Sequence, residues 1–346
     1  MTPAVIKRVL RPALVLAFCC LAACGSESRP TQLAGNIFGT TWSLTYQSPQ
    51  GDVTPAKVQS AVEDVFDLVN RSMNHYDSAS VISDFNQLGV DSVLEVDWDF
   101  AYVLSAALAL GESTDGAYDV TVSALSDVWG FGPQGPTSFP SEVEVAEALA
   151  RTGAVNLKWD STTRELSKRV DGLKLDFSSL AKGYAVDLGA DALAELGIPH
   201  FMLEVGGEVR VQGLSPRGDA WRIAVERPEV GARGDVQAAL AVSDTGIATS
   251  GDYRNFFERE GRRYSHLIDP RTGYPIQHDV VSVTVVHGSA MMADAWATAL
   301  TVLGSKRAIA IAERRGLAVY LLKRTDDSLE AIASSAMAEW LMEKAP

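Results

Sequence analysis

Five stretches of this chain hold residue types that could carry chemistry or admit a ligand. In Ser265–Gly273 a strand-like run delivers His266 to an Asp-Pro-Arg-Thr-Gly turn, with Pro270 fixing φ and Gly273 free to take positive φ. A histidine at such a place can accept a hydroxyl proton near neutral pH, or it can be an ordinary polar residue at a strand end. In Ser289–Thr298, Asp294 and Thr298 stand four residues apart, on one face of a helix. Oxygen donors of that kind suit Mg2+, which takes few protein carboxylates. The alternative is a threonine bonded back to its own helix and an aspartate paired with an arginine. In Asp176–Asp187 a polar turn enters a helix, whose open N–H groups could cradle phosphate or could simply be capped by Ser178 or Ser179. Lys182, unfavourable to the dipole in that first turn, is placed to meet an anion. Gly116–Pro133 alternates aromatics with glycines, and Val205–Glu208 carries paired glycines between strands; both suit close ligand approach or plain packing.

The elements that must position these residues can be read from periodicity. The run Phe38–Tyr46 reads as the first strand, and Thr54-Pro55 opens a helix to about Met73. A second helix spans 98–112, and a third starts at Ser141 with Glu144 completing a capping box. Strands at 155–159 and 164–170 precede a helix over 179–196, and residues 200–286 are mainly β. The end reads as one helix over 289–314, a strand over 317–323 and a short helix after Ile332. Helices flank β-rich runs without regular alternation, which predicts an α+β fold in one compact unit over 37–346, with mixed or antiparallel sheets.

Composition narrows the function classes. With 47% hydrophobic and 21% charged residues among 346, the chain is a globular protein rather than a disordered one or a fibre. Lys7, Arg8 and Arg11 precede a short apolar run ending Leu21-Ala22-Ala23-Cys24, which predicts a lipoprotein signal over 1–23, a lipidated Cys24 and a flexible tether over 24–36. Cleavage after Ala23 without lipid is the simpler alternative. All three cysteines lie at or before Cys24, which excludes disulfides and cysteine-based chemistry from the body. Of the 30 basic residues, three belong to the signal, so 27 face 44 acidic ones, a net of −17; nucleic acid is an excluded partner. Attachment to a membrane would come from the lipid, on the periplasmic side of the cell envelope.

Taken in order, the motifs resemble those of the FAD:protein FMN transferases, the ApbE family. They run through Phe38–Trp42, Met73–Asn86, Gly116–Asp119 to Trp129–Pro133, Asp176–Asp187, Gly206–Glu208, Ala248–Arg254, His266–Gly273 and Ala293–Thr298. The resemblance covers about residues 37–343 and implies a T-fold-related architecture. It implies Mg2+-dependent transfer of FMN from FAD to a threonine hydroxyl of an acceptor flavoprotein, with release of AMP. By the same resemblance Asp294, Thr298 and the backbone carbonyl of Ser179 hold the metal. FAD contacts fall to Phe38, Tyr76, Ala117, Tyr118, Asp119, Asp176, Lys182 and Ile268. His266, beside the reacting phosphate, is the general base, and Asp294 belongs to the catalytic pair with it. The implied acceptors are membrane-associated flavin-carrying subunits of sodium-pumping quinone reductases or related electron-transfer complexes. Phe38 stands where the family usually has methionine, Tyr118 where phenylalanine is frequent, and Ala124 where proline is common. Two other readings use the same residues: hydrolysis of FAD to FMN and AMP, and capture of flavin by a non-catalytic periplasmic lipoprotein.

Overall fold

The computed structural model describes residues 30–343 apart from 49–51, 91, 134, 136–138, 229–234, 252–255, 260 and 326–327. The predicted signal, Cys24 and the motif residues Asp252, Tyr253 and Arg254 lie outside the described residues. Eight helices occur among them: α1 (Pro55–Met73), α2 (Val81–Gln87), α3 (Trp98–Ser113), α4 (Ser123–Val128), α5 (Glu142–Ala150), α6 (Ala181–Glu195), α7 (Ala290–Leu303) and α8 (Ser305–Arg315). The strands are β1 (Thr31–Ile37), β2 (Thr40–Tyr46), β3 (Leu94–Glu95), β4 (Leu157–Asp160), β5 (Glu165–Lys168), β6 (Phe201–Val205), β7 (Glu208–Gln212), β8 (Trp221–Glu226) and β9 (Val236–Val242). They continue as β10 (Thr245–Gly251), β11 (Phe256–Arg259), β12 (Arg262–Ser265), β13 (Ile268–Asp269), β14 (Tyr274–Pro275), β15 (Val280–His287), β16 (Ala318–Arg324) and β17 (Leu329–Ala333).

Eight of these strands form one antiparallel sheet in the order β1-β2-β6-β7-β10-β15-β16-β17. Helices α1, α6 and α7 pack on one face; the β8–β9 ribbon and the C-terminal turn cover part of the other. Residues of β16 show why the sheet is two-sided. Val319 and Leu321 enter the helical core, whereas Ala318, Tyr320 and Leu322 enter the core beneath the ribbon. A strand buried on both faces reads as a continuous apolar run, as β16 does. A third cluster joins Leu125 and Trp129 to Val145, Ala148 and Ile268, tying the α4–α5 segment to the turn that follows β12. The fold is α+β, as expected.

Local signals explain most boundaries. Thr54 Oγ1 accepts from the Lys57 N–H at 3.3 Å with Pro55 at the first helical position, and Ser141 and Glu144 form the full capping box. Three expectations need correction. Residues 31–36 belong to β1, not to a tether: β1 pairs with β2 through a two-residue turn in which Phe38 and Gly39 both have positive φ. The small residues that suggested a linker are what the pairing requires, because a Cβ on Gly35 would lie 2.4 Å from Trp42 Nε1. The predicted helix over 289–314 is two helices, broken at Gly304 with φ 78°. After Ile332 the chain completes β17 and turns once as a 3-10 helix over Ser335–Met337, because β17 still has the edge of β16 to pair with.

Candidate functional site

Two helices and a hairpin build the centre of the site by supporting one another. Asp187, near the middle of α6, accepts from the Ala290 and Met291 N–H groups at 2.8 and 3.0 Å and from Ser289 Oγ at 2.6 Å, so it caps α7. In return Asp294 of α7 takes the Gly183 N–H at the start of α6. Neither Ser178 nor Ser179 caps that helix, since its N-cap position, Leu180, has no side-chain cap. Ser179 stands one residue before that N-cap, and its carbonyl accepts no backbone hydrogen bond among the described residues. The helices can approach this closely only through glycine. A Cβ on Gly183 would sit 2.4 Å from the Ala290 carbonyl oxygen, and one on Gly246 of β10 would sit 2.4 Å from the Ala290 nitrogen.

The third support is the hairpin between β6 and β7, whose two turn residues Gly206 and Gly207 have φ of 59° and 104°. It starts β7 with Glu208, only 5% exposed. Lys182 then lies between two buried carboxylates: its Nζ is 3.4 Å from Asp294 Oδ2 and 3.6 Å from Glu208 Oε1, and it donates to the Ser178 carbonyl at 2.8 Å. Burial alone would push the Lys182 ammonium pKa down, but the charges of Asp294 and Glu208 more than reverse this and raise it. Burial raises the Asp294 carboxyl against the pull of Lys182 and of the Gly183 N–H. It raises Glu208 to about 8, against Lys182 and with the help of Asp294.

This trio lines a cavity of about 880 Å³, a volume at the upper end of ligand pockets and roomy enough for a dinucleotide. Tyr76, Ala117, Tyr118, Asp119, Asp176, Ser179, Lys182, His266, Ile268, Asp294 and Thr298 all line it. Tyr118, buried, places its hydroxyl 2.8 Å from Ser179 Oγ, and burial holds its pKa well above the usual phenol value. Asp119 is fixed by Thr121 N–H at 2.8 Å and Ala154 N–H at 3.2 Å. Asp176 accepts from the Ser178 N–H at 2.8 Å and faces His75 Nδ1 at 3.4 Å. Tyr76, 62% exposed, leans on the His75 ring at the rim. Trp129 Nε1 donates to the Gly273 carbonyl at 2.8 Å and so holds the turn that presents His266, whose ring meets Phe131 edge-on at 6.3 Å. Phe38 alone is not brought to the wall; its ring packs toward Phe66 at 6.4 Å, on the core side of the β1–β2 turn.

The arrangement answers the alternatives left open by the sequence. Asp294 pairs with a lysine, not an arginine, and it is Thr301, not Thr298, whose hydroxyl bonds back to its helix carbonyl. A cation at the Asp294 end would meet one carboxylate, one hydroxyl and one open carbonyl, an all-oxygen set that fits Mg2+ with its remaining positions left to water and phosphate. Sequence reasoning passed over Glu208 as a site residue, and also the strand-built wall of Ile223–Glu226 and Thr249–Gly251. The paired glycines before Glu208 were the available signal; nothing in the local pattern of β8 marks it as cavity wall.

Comparison with known proteins places the chain in a family and agrees with the fold. Residues 38–321 match the ApbE family. The chain is 41% identical over 322 residues to the FAD:protein FMN transferase of Vibrio cholerae, covering 93% of this chain and 96% of that protein. It is 40% identical to the enzyme of the same name from Haemophilus influenzae, covering 91% and 93%. Among solved structures, the flavin transferase ApbE from Vibrio cholerae superposes with a TM-score of 0.84 at 39% identity, covering 90% of this chain and 99% of the other. The apo flavinyl transferase ApbE of Pseudomonas stutzeri gives 0.83 at 36% identity, covering 90% and 96%.

Proposed function

The chain belongs to the ApbE family and transfers FMN from FAD to an acceptor protein, and we propose that it does so with Mg2+ held by Asp294, Thr298 and the Ser179 carbonyl, onto a threonine hydroxyl. The observation that carries this reading is the ion pair of buried Asp294 with half-buried Lys182 on the wall of the large cavity, with Thr298 one helical turn away and the Ser179 carbonyl without a backbone donor among the described residues. When bound, Mg2+ would neutralise charge on the pyrophosphate and fix its orientation.

The chain's own residues supply the rest. Lys182 offers an ammonium to the pyrophosphate at a place where two carboxylates keep it charged. Tyr76, Ala117, Tyr118, Asp119, Asp176 and Ile268 hold the flavin and adenine portions, their backbone fixed by the Asp119 and Asp176 turns. His266 takes the proton from the acceptor hydroxyl as its oxygen bonds to the FMN-side phosphorus; the bond from that phosphorus to the AMP oxygen breaks, and AMP leaves. Burial of Asp294 strengthens its hold on Lys182 and on a bound cation relative to water.

We further infer a lipid at Cys24 that keeps the enzyme at the periplasmic face of the membrane, supported by the Leu21–Cys24 pattern. That place suits acceptors such as the flavin-carrying subunits of sodium-pumping quinone reductases or related electron-transfer complexes. The test is incubation of the purified protein with FAD, Mg2+ and an acceptor polypeptide bearing a target threonine. The expected result is a fluorescent acceptor band and one AMP per flavin attached, both lost when the target threonine is alanine. Free FMN with an unlabelled acceptor would show hydrolysis instead, and bound but intact FAD would show simple capture.

A further inference from the structure

The wall built by β8 and β10 is the part of the cavity to which the mechanism above gives no task. β10 is an inner strand of the eight-stranded sheet, yet its last three residues have a neighbouring strand on one side only. Thr249, Ser250 and Gly251 pair with Thr284, Val283 and Ser282 of β15. On the other side β7 pairs with β10 only from Thr245 to Ile247, and beyond Glu208 the hairpin has closed at Gly206-Gly207. No backbone bond from these three residues to any other element occurs among the described residues. Exposure changes at the same place: Ala248 is 1% exposed, whereas Thr249 is exposed and Ser250 and Gly251 are half-buried. All three line the cavity, as do Gly206 and Gly207. A Cβ on Gly206 would come within 3.5 Å of Lys182 Cδ, so the open edge starts beside the turn that touches the lysine of the reaction centre.

A strand edge of this kind recruits extended polypeptide, whose backbone pairs with the free N–H and C=O groups. Water satisfies those groups while the cavity is open, and a substrate that expels the water has to replace it. Transfer brings a polypeptide to this site, and the residues assigned to FAD lie elsewhere on the wall. We propose that the open edge of β10 docks the acceptor: the segment carrying the target hydroxyl lies in the cavity as an extended strand paired with Thr249–Gly251. The two faces of the sheet then set where its side chains point. Ala248 enters the helical core and Ile247 the core beneath the ribbon, so a strand added here alternates between those two sides. Asp294 and Thr298 line the cavity from the helical side with Lys182, and Ile223 and Val225 of β8 line it from the ribbon side. The reacting residue has to face the helical side, which turns the residues before and after it toward Ile223 and Val225. Backbone pairing and small or apolar neighbours of the target residue therefore specify the acceptor. The inference rests on the reading that FMN passes from FAD to the acceptor in this cavity.

Pairing along a strand has a periodic signature. Successive N–H groups of an added strand point alternately toward β10 and away from it, so methylating them one at a time harms binding at every second position. A side-chain pocket or a flat docking face has no such period. The experiment follows labelling of a whole acceptor by the full protein with FAD and Mg2+, in competition with short synthetic segments copied from the acceptor around its target threonine. In these segments valine replaces the threonine, so that they bind without reacting. The unmethylated segment is expected to compete. Single N-methyl groups should weaken competition about tenfold or more at alternate amides and leave it within about twofold at those between. On the protein's side, Ile223→Asp should raise the acceptor concentration for half-maximal labelling about tenfold, with FAD affinity in a flavin-fluorescence titration unchanged. An unmethylated segment that does not compete, or N-methyl effects that are equal at consecutive amides, would overturn the proposal. So would an unchanged acceptor dependence of Ile223→Asp, or an equal loss of FAD affinity in the folded variant, which would give this wall to FAD. Wild type that binds FAD but labels no acceptor would instead bring down the functional reading, and this inference with it.

Discussion

At the scale of single residues, the site depends on a few oxygens whose partners are already accounted for. Thr298 differs from its helical neighbour Thr301 in this respect. Thr301 spends its hydroxyl on the Ala297 carbonyl at 2.7 Å, whereas Thr298 lines the cavity. Replacing Thr298 by alanine is therefore expected to lower transfer about tenfold and raise the Mg2+ concentration needed for half-maximal rate, while serine restores both. The check is a Mg2+ titration of the transfer rate for the two variants. A loss that serine fails to restore would point to the threonine methyl and to packing. That Asp294 and Thr298 share a helix face was legible from their spacing, and Lys182 was marked as placed to meet an anion; their assignment to metal and FAD came from the family resemblance. Glu208 was not legible, because its burial depends on β7 pairing with β6 and on Lys182 arriving from a distant helix.

Elements set those residues in place through reciprocal caps, α6 holding the N-terminus of α7 through Asp187 and α7 holding that of α6 through Asp294. Asp187→Ala removes an acceptor that serves two backbone N–H groups and one hydroxyl, so it should cost about 1–3 kcal/mol in urea unfolding and also lower transfer, although Asp187 is not assigned to FAD or metal. Unchanged stability with lost activity would instead make Asp187 a ligand-binding group. The β15–α7 junction adds a pH dependence. His287 Nδ1 accepts from the Ser289 N–H at 3.0 Å, and burial lowers its pKa below the ordinary 6.5. Below about pH 6.5 the unfolded chain takes up a proton that the fold resists, so stability falls with acidification in that window. Comparing unfolding free energies at pH 7.5 and 5.5 should show a drop that His287→Gln reduces; an equal drop in that variant would assign it to other groups. Helix starts with capping residues were readable, as Thr54 and Ser141 show. The short helices α2 and α4 were missed, and so were β1 and β17, strands whose evidence is their neighbour: Gly35 makes sense only opposite Trp42, and β17 only beside β16.

For the whole molecule, one antiparallel sheet with helices on one face and a β ribbon on part of the other leaves a cavity where the layers part, with helix termini on one side and strand residues on the other. The ordered motifs made family and fold legible because they sample both sides of that cavity. Among the described residues no helix is long and apolar enough to cross a membrane. With a net −17 over residues 24–346, the body should not be attracted to anionic lipid. On the proposal that Cys24 carries a lipid, Cys24→Ala should move the expressed protein from the membrane pellet to the soluble fraction with FMN transfer retained. A variant that stays in the pellet would call for another anchor.

The central claim is that a cation gripped by Asp294 beside Lys182 turns bound FAD into a donor of FMN. It is tested most directly by in-gel flavin fluorescence of an acceptor co-incubated with FAD and either wild type or Asp294→Ala, across a range of Mg2+ concentrations. The account predicts labelling that rises with Mg2+ for wild type and disappears with a chelator. For Asp294→Ala it predicts labelling lower by about a hundredfold or more. Labelling by Asp294→Ala equal to wild type, with the same Mg2+ dependence, would contradict it.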